Sequence, residues 1–350
     1  MSDPFLRLSR HISSGQPCMA YAKPGSNALT FVFQINSEGK EVNGEGFIFA
    51  PFAQGSTVFV SYKDAETVTI PLEVVDNQVA AANLQVESSH GREAFVALAK
   101  KSIAAIREGH FKKLVISRME TVQVEDLEMV TVFKRLLGKY PNAFRYCFYS
   151  PETGLWMGAT PEQLLKIERN TLHTVALAGT RLNNQDVDIA WPEKERLEQQ
   201  FVTDYLIKEL TPFSLKNSIT APYTAIAGNI QHIKTDISAQ ISKGIDTQQI
   251  INALHPTPAV CGLPKASALN YIVENEGYSR EYYAGYLGEI NHDFVTGESS
   301  TDLFVNLRCM KVEGNTAHLY IGCGITADSD PEKEYQETVN KSMTMKQLFS

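Results

Sequence analysis

Residues 303–350, LFVNLRCMKVEGNTAHLYIGCGITADSDPEKEYQETVNKSMTMKQLFS, decide the fold. Two apolar runs, LFVNLRCMKV (303–312) and TAHLYIGCGIT (316–326), flank Glu313, Gly314 and Asn315, a spacing that predicts two antiparallel strands joined by a tight turn. Asp330 then supplies an N-cap and Pro331 a first-turn residue for a helix over 331–349. Hairpin followed by helix indicates a mixed α+β domain.

Working outward, GREAFVALAKKSIAAIREG (91–109) carries Phe95, Leu98, Ala99, Ile103 and Ile106 at helical spacing, stops at Gly109, and feeds the apolar run LVIS with Lys113 at the junction. A second amphipathic helix is predicted over PEKERLEQQFVTDYLIKEL (192–210). Residues 28–85 alternate strand-like runs (ALTFVFQI, EGFIFA, TVFVSYK, TVTIPLEVV) with turn clusters, which predicts antiparallel sheet without visible chemistry. HPTPAVCGLPK (255–265), with three prolines, fits neither helix interior nor central strand. No repeat or linker divides the chain, so residues 1–350 are expected to form one domain, with 91–350 bearing the motifs and 1–90 less specific.

The composition narrows function. With 43% hydrophobic residues in 350, the chain can bury a sizeable core. A net charge of -8 and no basic run argue against nucleic acid or an anionic membrane and favour a small-molecule or protein partner. The polar start, MSDPFLRLSRHISS, and the lack of a bilayer-length apolar run predict a cytoplasmic protein. Five scattered cysteines without Cys-x-x-Cys suggest neither disulfides nor structural zinc. Dinucleotide, Walker and serine-elbow motifs are missing as well.

Five places put charge where a fold alone would not need it. Lys113, in FKKLVISR, is either a solvated flank of an apolar strand or a desolvated lysine able to act as a base. Glu162, in GATPEQLL, follows Thr160 and Pro161 and precedes Gln163, a capping-box pattern. A helix end there would favour the carboxylate, against the raised pKa that a general acid needs. Glu198 sits beside Leu197 and four residues before Val202, at the edge of a buried helical face, with Lys194 available as an i,i+4 partner. Glu334, Glu337 and Lys341 stack on one face of the last helix; they are either a wet face or, with a third carboxylate, ligands for a hard cation such as Mg2+. Arg308, facing with Phe304 and Met310 by strand alternation, calls for an anionic partner. Gly322 and Gly324 would let backbone N–H groups approach an anion, or simply make a turn.

Spacing alone does not assemble these residues. The collinear series FKKLVISR, GATPEQLL, ALAGTR, EKERLEQQFV, LHPTPAVCGLPK, YSREYYAGYLGEI, LFVNLRCMK, GCGIT and PEKEYQETVNKS closely resembles the chorismate-utilising enzymes, over roughly residues 90–350. That family includes isochorismate, salicylate, anthranilate and aminodeoxychorismate synthases. The resemblance implies two facing antiparallel β-sheets with helices outside and a buried Mg2+ and chorismate site. By position, Lys113 is similar to the family's water-activating base and Glu162 to the acid protonating the departing hydroxyl. Glu198, Glu334 and Glu337 match the metal-binding glutamates. Arg308, Lys341, Gly322, Gly179, Thr180 and Tyr283 match substrate-holding positions, while Ala259 and Val260 line the pocket beside the reacting carbon.

Ala259 stands where the ammonia-using and salicylate-forming branches carry threonine, and Ala178 where aminodeoxychorismate synthases carry a lysine. The resemblance is therefore to the isochorismate synthases, working with Mg2+ and chorismate and no glutamine amidotransferase subunit. Cys261 departs from the small residue usual at its loop position. Salicylate synthesis and a catalytically silent chorismate-binding relative remain the alternatives, and menaquinone and siderophore pathways are not separated.

Overall fold

The computed structural model describes residues 3–36, 44–72, 85–86, 89–182, 190–227, 230–242 and 244–349; side chains are not described for 85, 86, 89, 90, 180–182, 194, 226, 227 and 230. Two antiparallel sheets dominate. In order, the first runs Gly262–Leu263, Lys113–Gln123, Thr316–Ile325, Cys309–Glu313, Gly154–Thr160, Phe144–Ser150, Cys18–Ala22, Ala28–Gln34 and Ala65–Pro71. The second runs Ser214–Ile219, Ile230–Ile241, Thr171–Leu182, Gln163–Glu168, Ser300–Val305, Tyr286–Ile290, Gly46–Ala50 and Val58–Ser61. The expected α+β class and the two-sheet arrangement are both present.

Aromatic side chains join the sheets. Phe144 of the first stacks on Phe304 of the second at 4.4 Å between centroids, and Phe148 meets Phe49 at the same distance. Such pairs add about 0.5–1.5 kcal/mol beyond their burial. A second cluster on the far side of the first sheet packs Leu8 and Phe133 of helices Pro4–Ser13 and Met129–Lys139 against Phe31, Phe33 and Leu319.

The two long amphipathic helices form as their patterns predict. Glu193–Leu210 packs on Thr171–Leu182 and Ile230–Ile241 of the second sheet. Pro331–Lys346 packs on Thr316–Ile325 of the first, and the Asp330 side chain accepts from the Glu332 and Lys333 amides as the expected cap. Ser89–Arg107 lies against both the Lys113 strand and the C-terminal helix.

Four sequence expectations are corrected. LFVNLRCMKV is two strands, because the chain leaves the second sheet after Val305 and enters the first at Cys309. Arg308, at φ +46°, lies in the crossover, so it does not alternate with Phe304 and Met310. Glu162 begins no helix: it is the link between strands Gly154–Thr160 and Gln163–Glu168. Thr160 Oγ1 does accept from the Glu162 amide at 3.3 Å, but Gln163 reaches Asp302 instead of a cap. Finally, Leu197 is half exposed, so the buried face of its helix runs through Gln199, Val202 and Leu206. The Lys194 side chain offered as a partner for Glu198 lies outside the described residues.

Candidate active site

Lys113 opens its strand and is 4% exposed, hence not a solvated flank. Its neighbour strand carries Gly322 and Gly324 in register with Ser117 and Val115. A Cβ on Gly324 would stand 3.1 Å from Lys113 Cε, 3.5 Å from its Nζ and 3.6 Å from Glu198 Oε1. The bare glycine thus makes room for a lysine side chain from one sheet and a carboxyl group from the helix on the other.

Gly322, earlier on the same strand, makes a second opening of this kind. A Cβ there would meet Tyr283 Oη at 2.6 Å, and its carbonyl accepts from Lys341 Nζ at 3.1 Å. Lys341 also pairs with Glu337 at 2.5 Å, one turn back on the C-terminal helix. Between the glycines, burial pushes the Cys323 thiol well above its ordinary value; Glu334, Glu337 and Glu198 push it the same way and Lys341 opposes them. Four of the charged candidates therefore act on one side chain.

Glu162 completes the site from the link between the two sheets. Burial raises its carboxyl to about 7, against the lowering pull of Lys113, Arg308 and Lys341. The absence of a helix at Pro161 removes the dipole that would have held it ionised. Arg308 is itself lowered by burial and supported by Tyr283, Glu337 and Glu162. Its carbonyl accepts from the Ala159 amide at 3.0 Å, which fixes the crossover.

The 255–265 loop sits along the outer edge of the Lys113 strand. Lys112 N donates to Leu263 O at 2.8 Å and Val115 N to Cys261 O at 2.7 Å. Val260 is buried, and Ala259 packs beside it at the edge of the core. Gly179 adopts φ +72° and its carbonyl lies 2.9 Å from His232 Nδ1, which must carry the proton to donate. The Thr180 side chain lies outside the described residues. A cavity of about 480 Å³ flanks the same helix as Glu198 but, among the described residues, is lined by none of the candidates.

Sequence reading missed several participants. His232 faces Arg308, Lys341 and Glu337, and burial lowers its pKa; an isolated histidine in a polar run gave no signal. Arg280 lies in the quoted motif YSREYYAGYLGEI and Glu276 two residues before its start, and nothing in the sequence sets either apart from ordinary charges. As for a cation, Glu198, Glu334 and Glu337 offer oxygen donors only, which fits Mg2+ in kind. Among the described residues no three His, Cys, Asp or Glu groups stand at the spacing of a closed metal cluster.

The sequence profile of the chorismate-binding enzymes matches residues 59–350. The chain belongs to the chorismate-binding enzyme family. Within it, the chain is 32% identical over 275 residues to the salicylate biosynthesis isochorismate synthase of Pseudomonas aeruginosa, covering 75% of this chain and 56% of that protein. It is 31% identical over 268 residues to the isochorismate synthase MenF of Escherichia coli, covering 73% and 59%. The chain thus spans under two thirds of the length of these curated relatives. The solved structure of the menaquinone-specific isochorismate synthase MenF of Escherichia coli shares the chorismate-binding fold, with a TM-score of 0.78, 21% identity and coverage of 97% and 90%. As for membranes, among the described residues no helix is long and apolar enough to cross one.

Proposed function

We propose that this chain is an isochorismate synthase, converting chorismate to isochorismate by adding water at C2 and expelling the C4 hydroxyl. The observation that carries the reading is Glu162: a carboxyl beside three basic side chains that burial nonetheless raises to about 7, and so able to arrive protonated. Family membership supplies the substrate class, and two relatives bear the isochorismate synthase name.

In this reading Lys113, in its neutral form, takes a proton from the attacking water, and Glu162 gives one to the departing hydroxyl. Arg308 and Lys341 hold the substrate's carboxylates, with Gly322 and Gly324 keeping the approach free of side chains and Tyr283 closing one wall. Burial excludes bulk water, so the attacking molecule is a bound one. Glu198, Glu334 and Glu337 would hold Mg2+, which when bound supplies Lewis-acid polarisation of the ring carboxylate. Water as nucleophile requires no glutamine amidotransferase subunit.

The test is incubation with chorismate and Mg2+ in H2(18)O, with Lys113→Ala and metal-free controls, and products separated by mass spectrometry. Isochorismate carrying solvent oxygen, absent from both controls, is the expected result. Salicylate as the main product would overturn the branch and the inference from Ala259; bound but unconverted chorismate would make the chain a silent relative.

A further inference from the structure

Among the described residues, the outer edge of the Lys113 strand has no neighbouring strand between Leu114 and Val122, because Gly262–Leu263 pairs only with Lys113 and Leu114. Two side chains take the place of the missing backbone. The Ser117 amide donates to Glu276 Oε1 at 2.7 Å, and the Val115 carbonyl accepts from Arg280 Nη2 at 2.7 Å. Arg280 Nη1 donates at 2.9 Å to the carbonyl of Val260, in the 255–265 loop. Its Nε and Nη2 close on both oxygens of Glu276, at 2.8 and 2.5 Å, and the pair is shielded from water, 3% and 1% exposed. Phe52 lies under the guanidinium at 4.4 Å.

Maintaining a fold at this edge would not need a desolvated ion pair, since buried pairs are weak contributors to stability. What the pair does is join two segments of the site. One planar guanidinium, with its donors in a rigid fork, spans from the strand presenting Lys113 to the loop carrying Val260. We infer that Arg280, oriented by Glu276, is a positioning residue that fixes the distance between Lys113 and the Val260 segment. This rests on the reading of Lys113 as the base. Arg280 itself acts through the Val115 and Val260 carbonyls.

The test compares Arg280→Lys, Arg280→Met and the double variant Glu276→Leu/Arg280→Met with the wild-type chain. Each is followed by thermal unfolding, by chorismate turnover with Mg2+ as a function of pH, and by hydrogen exchange. Arg280→Met strands the Glu276 carboxylate and is expected to lose stability. The double variant removes both charges but still leaves the Ser117 amide and the Val115 and Val260 carbonyls without these partners, so it is expected to recover only part of the Tm lost in Arg280→Met while kcat stays about 100-fold low, KM changes less than about threefold, and Arg280→Lys restores only a fraction of kcat. In hydrogen exchange, segments 113–117 and 255–263 should lose protection together in the double variant. Recovery of both Tm and kcat in the double variant would show a purely structural pair. Unchanged protection of the two segments would overturn the inference whatever the wild-type turnover is, whereas an inactive wild-type chain with coupled deprotection would overturn the functional reading and leave the clamp standing.

Discussion

Glu162 shows how far a residue's chemistry depends on its surroundings. From sequence, Thr-Pro-Glu-Gln reads as a helix start, and a helix start would keep the carboxylate ionised. The chain instead enters a strand at Gln163, leaving burial to dominate and raise the group to about 7. An acid whose folded pKa exceeds its unfolded value near 4.5 binds its proton preferentially in the folded state, so stability is lost as pH rises from about 4.5 through 7. Replacing Glu162 by Gln mimics the protonated form. The variant should match the wild type near pH 4 and be more stable at pH 8 by at most ~3 kcal/mol, while its chorismate turnover falls by about 10²-fold or more. Urea midpoints at the two pH values check the first claim, and a wild-type kcat/KM that fails to decline above about pH 7 would remove Glu162 as the acid.

Elements were legible where one face is buried and opaque where the chain changes layer. Ser89–Arg107, Glu193–Leu210 and Pro331–Lys346 follow from periodicity and caps, and the hairpin at Gly314 from its turn. Nothing in LFVNLRCMKV marks the crossover, since both halves are apolar and the break is held by partners distant in sequence. Asn306, fully buried, accepts from Tyr146 Oη at 2.6 Å and donates to the Tyr282 carbonyl at 2.9 Å. Its backbone pairs with Gly285 and Ala284 at 2.8 Å each. These bonds set the path that delivers Arg308 two residues later. Asn306→Leu should therefore cost roughly 2–6 kcal/mol, the sum of two orphaned buried groups, and weaken chorismate binding by loosening Arg308. Denaturation and calorimetric titration report the two effects separately; full stability with full affinity would mean that the crossover holds without this side chain.

At the scale of the whole molecule, the two-sheet architecture could not be derived from residues 18–71 alone, although their strands are visible. Ala28–Gln34 and Ala65–Pro71 join the first sheet while Gly46–Ala50 and Val58–Ser61 join the second, a division made by distant pairings of Cys18–Ala22 with Phe144–Ser150 and of Gly46–Ala50 with Tyr286–Ile290. Cys18–Ala22, buried along its whole length, lacks the alternation that announces a strand. Yet that strand carries the polar link between layers: Tyr21 donates to Glu289, and Lys23 just beyond it pairs with Glu289 at 2.5 Å and Asp293 at 2.7 Å. Asp302 lies directly across from Glu289 in register and is raised by burial to about 6, opposed by Lys23, its bond from Gln163 and Lys166, and reinforced by Glu289. Because the unfolded chain ionises this group near 3.8, folding loses stability as pH climbs from about 4 to 6 and does not regain it above. Asp302→Asn keeps an oxygen for Gln163 and has nothing to ionise. It should resist urea better than the wild type at pH 8, by up to ~3 kcal/mol, with the advantage gone at pH 4. An equal gain at both pH values would assign the effect to packing and leave the charge between the sheets without energetic consequence.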